Sequence, residues 1–362
     1  MPDRMNQYPD AETFALKPDL DLAALEATVS RILVPGNIMD GILERYCCRL
    51  QERFRRYSST CPAPEWGHGL IVTSEIRGQT ERYLPIDEIR AAFRCLLRSS
   101  TRYEPFLPAF NLFSALSWPD ALARFHVPPD SSNPADLIRR LAEDEDSRRI
   151  FIASFLVPCR YGGEFGRYPL QAVFLREWLE NRRQVGLDGV SILDAACGSG
   201  EQSYELAELL FDAGWEPERC TVIGETIEPL ELTAAAHGWF PHDRAREIRF
   251  RRRVEPILAE GCGSMISFVN RDVCCRVEAG RRYDVVICNG LIGGPLLNDK
   301  RMVQETLRYL AERVEKGGVF LAADRFHAGW RKAVSAGMIG TELESAGFAI
   351  VDAGEGVAAV RL

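Results

Sequence analysis

The sequence contains no apolar run of the roughly 18 residues that a bilayer-spanning helix requires. Its opening stretch, MPDRMNQYPDAETF, has neither the basic nor the apolar region of a signal peptide. Membrane insertion is therefore not expected. The 11 cysteines lack the paired C-x-x-C spacing of a zinc site. Cys47–Cys48 and Cys274–Cys275 are immediate neighbours, a poor geometry for a metal or a bridge, and the chain is too long for a small disulfide scaffold. The expectation is buried, reduced thiols in a cytoplasmic protein with no metal. A basic excess is also missing. Lys and Arg number 44 against 52 Asp and Glu, for a net charge of -8. That balance argues against nucleic acid or an anionic membrane as the main partner. There is no internal repeat and no low-complexity segment.

Apolar residues are plentiful. At 362 residues and 46% hydrophobic, the chain can bury more than one core, and two domains are expected. The first half reads as helical. In DGILERYCCRLQERFRRYS the residues Ile42, Tyr46, Leu50 and Phe54 fall on one face and arginines on the other. IDEIRAAFRCLLR is a further amphipathic helix. Residues 102–134 carry Pro105, Pro108, Pro119, Pro128, Pro129 and Pro134, so they should be rich in loops. From about 187 onward, strand and helix alternate. VSILDAA, CTVIGE, MISFVN, YDVVICN and VFLAAD read as strands. KRMVQETLRYLAERVEKGG reads as a helix closed by Gly317–Gly318, with Met302, Val303, Thr306, Leu307, Leu310 and Val314 on one stripe. FAIVDAG and GVAAVRL are joined by too few residues for a crossover helix and should pair antiparallel at an edge. This pattern predicts an α/β doubly wound, mostly parallel sheet with a C-terminal antiparallel hairpin. The expected organisation is a mainly helical domain over 1–150, a linking helical segment over 151–186, and a ligand-binding domain over 187–362.

The stretch ILDAACGSGEQSYELA carries the strongest local signal. An apolar strand ends at Asp194, a turn with Gly198 and Gly200 follows, and a helix begins near Glu201. Glycines there permit a tight turn and leave no side chain between the backbone and a ligand beyond the sheet. A dinucleotide would want a third glycine at 203, where Ser203 stands, and a phosphate loop would want a G-K-[ST] that is absent. S-adenosylmethionine has no phosphate and ends in a cationic amine, which flanking carboxylates suit. The later strands end in fitting groups. Gly224–Glu225 offers an acid for ribose hydroxyls, Asn270–Arg271–Asp272 an acceptor for an exocyclic amine, and Cys288–Asn289–Gly290 a rim near the methyl. Taken singly, an acid after a strand is also an ordinary helix cap.

These motifs resemble the chemotaxis receptor (CheR-type) S-adenosylmethionine-dependent methyltransferase family, as a divergent member. Its first motif is met by Ala195, Cys197, Ser199, Gly200, Glu201, Tyr204, Leu206 and Ala207, with Glu205 as a departure. Phe268, Asp272 and Val273 match a second motif, and Tyr283, Asp284, Val286, Cys288 and Asn289 a third. Val314, Lys316, Gly317 and Gly318 echo a fourth. A fainter likeness covers Arg49–Leu50 and Arg53–Phe54–Arg55, and residues 60–150 match nothing in the family. The family's second strand ends T-D-I-D; here Glu225–Thr226–Ile227–Glu228 puts threonine at the aspartate position, so the ribose falls to Glu225 with Glu228 as alternate. The basic run 240–265 is either a solvated surface or a dock for an acidic protein.

The resemblance implies a methyltransferase of the Rossmann-like class I fold. The residues expected to hold S-adenosyl-L-methionine are Asp194, Ala196, Gly198, Gly200, Glu201, Tyr204, Glu225, Thr226, Ile227, Asp272, Val273, Asn289 and Gly290. Arg167 and Asn289 are expected at the reacting end, with Arg160 as the second choice of arginine. The implied acceptor is a protein side-chain carboxylate, already ionised at neutral pH and needing no base. A small-molecule acceptor and a regulatory module without turnover stay open as alternatives. The second-half histidines are His237, His242 and His327, and none of them is expected to serve as a general base.

Overall fold

The computed structural model describes residues 14–60, 71–107, 111–125, 131–157, 164–275, 281–294, 296–323 and 334–362. The chain forms two compact units. One comprises Ala23–Pro158 with Phe240–Glu247, the other Met1–Leu22, Cys159–Trp239 and Ile248–Leu362.

The first unit is helical: α1 (Leu22–Ile32), α2 (Gly41–Thr60), α3 (Ser74–Tyr83), α4 (Ile86–Ser100), α5 (Trp118–Leu122), α6 (Pro134–Glu143) and α7 (Glu145–Leu156). α2 buries Leu43, Cys47, Leu50 and Tyr57. The expected stripe through Ile42 is therefore displaced by one residue, and Ile42 stands 49% exposed. Two overlapping apolar stripes run along this helix, and its packing partners chose the one containing Leu43 and Cys47. Phe93, Trp118, Phe125 and Phe151 form an aromatic cluster with ring centroids 5.6–6.3 Å apart. The fully buried Arg148 donates to the carbonyls of Val34, Gly36, Leu141 and Ala142, so main-chain oxygens satisfy its guanidinium.

The second unit contains the sheet: β1 (Ala15–Leu16), β2 (Val190–Asp194), β3 (Cys220–Thr226), β4 (Ile266–Asn270), β5 (Tyr283–Ile287), β6 (Val314–Ala322), β7 (Phe348–Val351) and β8 (Val357–Arg361). Their order is β1-β4-β3-β2-β5-β6-β8-β7. The strands from β4 through β6 are parallel, as expected from the alternating pattern. β8 lies antiparallel between β6 and β7, as expected for the terminal pair. β1 was not legible as a strand. It adds antiparallel to β4, pairing Ala15 with Val269 and Leu16 with Phe268. The chain moves outward from β2 to β3 and β4, then returns to β5 on the other side of β2. The order thus reverses between β2 and β5, the place where such sheets receive ligands.

The helices of this unit are α8 (Pro169–Gln184), α9 (Glu201–Asp212), α10 (Pro229–His237), α11 (Arg244–Ala259), α12 (Lys300–Glu312) and α13 (Ala336–Ser345). α12 buries Val303, Thr306, Leu307 and Leu310, the stripe read from the sequence. Each fully buried aliphatic side chain there contributes about 1.5–3 kcal/mol. The helix stops at Glu312, however, and not at Gly317–Gly318. Those glycines lie inside β6, where the register against β5 shifts. A Cβ on Gly318 would sit 2.6 Å from the Asp284 carbonyl oxygen, so the residue is required by a strand irregularity and not by a helix cap. The basic run over 240–265 is mostly α11. Arg251 donates to the carbonyls of Leu20, His237 and Gly238. Arg253 pairs with Glu208 and lies over the Phe165 ring. Arg244, Arg249 and Arg252 are exposed.

Candidate functional site

β2 delivers Asp194 to the reversal point, and the turn that follows is fixed by main-chain bonds. Ala195 N donates to Ile287 O at 2.7 Å, Cys197 N to Glu225 O at 3.0 Å, and Gly200 N to Cys197 O at 2.9 Å. Gly198 and Gly200 both take left-handed φ, +52° and +85°. Their surroundings differ. A Cβ on Gly200 would meet the Ala235 Cβ at 2.7 Å and the Phe268 ring at 2.9 Å, so this glycine lets α9 close onto its neighbours. A Cβ on Gly198 would meet nothing within 4 Å. Gly198 therefore opens onto space at the mouth of the sheet, and Ala196 beside it is partly exposed.

The acids that flank the turn are buried. Asp194 is 1% exposed and accepts from the Ser203 hydroxyl at 2.8 Å. Burial pushes its carboxyl up to about 7, and the bond from Ser203 only partly offsets this. Glu201 is 4% exposed and accepts from Ser199 Oγ at 2.8 Å, in the first turn of α9. Tyr204 is fully buried. Its hydroxyl donates to Ala235 O at 2.7 Å, and its ring packs on Phe250 and Phe268. It serves as a core residue behind the turn. Cys197 and Cys288 are buried thiols whose pKa values burial raises well above the ordinary range.

On the β5 side, Asn289 is the hub of a polar network. Its Nδ2 donates to Gln171 Oε1 at 2.8 Å and to Gln202 Oε1 at 3.3 Å. Its Oδ1 accepts from Ala323 N at 2.7 Å and from Gln171 Nε2 at 3.4 Å. Gln171 is itself placed by α8. Glu355, in the turn between β7 and β8, accepts from Leu170 N and Gln171 N at the start of that helix. Gly290 has φ of +75° and donates to Ala323 O. The Arg167 Nη2 lies 3.9 Å from the point where a Gly290 Cβ would stand, and its guanidinium sits 5.5 Å from the Tyr168 ring centroid. Glu205 accepts from Gly166 N and so tethers the segment that carries Arg167. Burial raises the Glu205 carboxyl to about 7, and the Gly166 bond opposes that shift. A cavity of about 180 Å³ adjoins, walled by Gly166, Tyr168, Gln171, Gln202 and Glu205 among others.

On the β3 side the carboxylates are engaged within the fold. Glu225 is fully buried. Its oxygens accept from Arg313 Nη1 and Nη2 at 2.7 and 2.8 Å, and from Arg271 Nη1 at 2.7 Å. Arg313 also donates to the Tyr283 hydroxyl at 3.2 Å. Burial alone would lower the Arg313 pKa; the Glu225 pair raises it instead. Glu228, 4% exposed, caps α10 by accepting from Leu230 N at 3.1 Å. Thr226 ends β3 and donates to Glu231 Oε2 at 2.5 Å. Ile227 is partly exposed, and its carbonyl accepts from Asn270 Nδ2 at 2.8 Å. Asp272 accepts from Cys274 N at 2.8 Å, and Val273 is buried against the β5–β6 core.

The structure thus brings Asp194, Ala196, Gly198, Glu201, Asn289, Gly290 and Arg167 to one end of β2 and β5. Sequence reasoning missed Gln171, Gln202, Glu231 and Arg313. Gln202 follows Glu201 in the same helical turn, a spacing that offered a clue; the other three had none. Arg160 and His327 lie outside the described residues. His237 is buried, with its Nδ1 2.5 Å from Asp19 O, and takes no part in the site.

No family model matches the chain. It is 31% identical over 167 residues to the probable biofilm formation methyltransferase WspC of Pseudomonas putida, covering 42% of this chain and 38% of that protein. The match spans well under two thirds of that relative's length. Among solved structures, the N-methyltransferase NodS of Bradyrhizobium japonicum, in complex with S-adenosyl-L-homocysteine, is 14% identical. That match covers 62% of this chain and 95% of NodS, with a TM-score of 0.35. A TehB-like SAM-dependent methyltransferase of Corynebacterium glutamicum is 15% identical, covering 52% of this chain and 95% of its own, with a TM-score of 0.32. Five parallel strands, a glycine turn beyond the reversal between β2 and β5, and an antiparallel β7–β8 end together make this a Rossmann-like, doubly wound α/β fold.

Proposed function

We propose that the chain is an S-adenosylmethionine-dependent methyltransferase. The observation that carries this reading is Gly198, left-handed and open to space in a turn bounded by Asp194 and Glu201. That geometry leaves a bare backbone edge for a ligand, the flanking acids do not suit a pyrophosphate, and the similarity to a methyltransferase over 167 residues supports the reading. When bound, the cofactor supplies a methyl on a sulfonium whose departing thioether is neutral, so no acid is needed to release it.

The protein's task is then positioning. The Gly198 turn offers main-chain groups, and the Glu201 carboxylate beside it favours a cationic amine. Asn289 holds Gln171, Gln202 and the Ala323 amide in one network, which fixes the rim of the site. Arg167 stands over Gly290, where a guanidinium suits an anionic acceptor by paired hydrogen bonds. A carboxylate acceptor on a protein side chain fits that arginine and needs no general base. A second reading, a small-molecule acceptor, is favoured by the modest cavity beside Tyr168 and Gln171.

Calorimetry with S-adenosylhomocysteine and with NAD tests the cofactor. Binding of the first and not the second is expected; the reverse removes the proposal. Transfer of a radiolabelled methyl to protein or to small-molecule fractions then separates the two acceptors.

A further inference from the structure

We infer that Glu231, held by the Thr226 hydroxyl, is the carboxylate that takes the vicinal hydroxyls of a nucleoside at this site. This rests on the reading above. Two acids at the end of β3 are available by sequence, and the fold engages both elsewhere. Glu225 is fully buried, and its two oxygens meet three guanidinium nitrogens at 2.7–2.8 Å. Turning it toward a ligand would strip the buried Arg313 of its counter-charge, a strongly unfavourable change. Glu228 is buried and caps α10.

Glu231 differs in two respects. It is partly exposed, in the first turn of α10, immediately beyond β3. Thr226 ties its carboxylate to the last residue of that strand. A sugar diol presents two donors on adjacent carbons. A carboxylate accepts both at once, and a hydroxyl that donates to that carboxylate fixes its rotamer and keeps its own lone pairs for the ligand. Thr226 thus occupies the end of the strand while Glu231 supplies the charge from one helical turn away. The ligand class is a purine nucleoside with a free 2′,3′-diol; a 2′-deoxynucleoside is the poor ligand.

The test is calorimetry on the full chain with S-adenosylhomocysteine, 5′-methylthioadenosine and the 2′-deoxy form of the latter. Wild type is expected to bind the first two and to prefer the ribose form to the deoxy form at least tenfold. Glu231→Gln should weaken S-adenosylhomocysteine at least tenfold and abolish that preference. Thr226→Val should weaken binding several-fold, and Thr226→Ser should restore it. Should Glu231→Gln fail to fold, the Thr226 pair decides. Undiminished affinity and preference in Glu231→Gln, or equal affinity in Thr226→Val and Thr226→Ser, overturns the inference while leaving the cofactor reading intact. A wild type that binds none of the three ligands overturns both.

Discussion

Replacing Glu225 by alanine should unfold the protein more readily and not merely weaken a ligand. Arg313 is 2% exposed, and its guanidinium makes two of its hydrogen bonds to Glu225. Removing one partner of a buried ion pair costs about 3–5 kcal/mol, because the other charge stays desolvated. The Tyr283 hydroxyl at 3.2 Å and the Tyr283 and Tyr309 rings beside the guanidinium soften the loss, which puts the expectation at the lower end, near 3 kcal/mol. Arg271 adds little, since its side chain is 27% exposed and can turn to water. For a domain of this size each kcal/mol is worth about 2–4 °C, so melting should fall by roughly 6–12 °C. Glu225→Leu combined with Arg313→Met should recover most of that, since an apolar pair of similar volume does not carry the desolvation cost. Thermal and urea denaturation measure the single and double variants, with S-adenosylhomocysteine affinity measured on the folded fraction. A Glu225→Ala protein that melts with wild type but has lost ligand affinity would refute this reasoning and return the ribose to Glu225.

Gly198→Val should abolish S-adenosylhomocysteine binding while circular dichroism shows a retained fold, because the added side chain enters open space; the left-handed φ costs about 1–2 kcal/mol. Gly200→Ala should instead destabilise the fold, through contact with Ala235 and Phe268. Asp194 and Glu205 both titrate near 7 in the fold, above their ordinary values near 4. The neutral carboxyls therefore contribute stability that is complete below about pH 4 and lost as pH rises through about 7. Urea midpoints taken from pH 5 to 8 should fall along that course, and Asp194→Asn should flatten part of the slope. Arg167→Ala should reduce methyl transfer far more than cofactor affinity, and Arg167→Lys should recover it only in part. Equal turnover in wild type and Arg167→Ala would end the carboxylate reading.

Much of this protein is local in origin. The run of strands and helices after 187, the stripe on α12, the terminal antiparallel pair and the turn at Gly198 all follow from periodicity and from which residues tolerate which φ. Those rules act over a few residues and need no partner. What the sequence left undecided depends on who meets whom. α2 carried two apolar stripes, and packing buried Leu43 and Cys47 instead of Ile42. Ala15–Leu16 became a strand only because β4 offered an unpaired edge. Gly317–Gly318 looked like the end of a helix and proved to be an irregularity in β6, since a helix ends where its neighbours require. An acid at a strand end advertises a charge without naming its counter-ion. Glu225 is paired by a residue 88 positions away, and Asn289 is held by one 118 positions away. A carboxylate's role is set by whichever guanidinium, hydroxyl or amide the fold brings within hydrogen-bonding distance, and only the tertiary structure decides that.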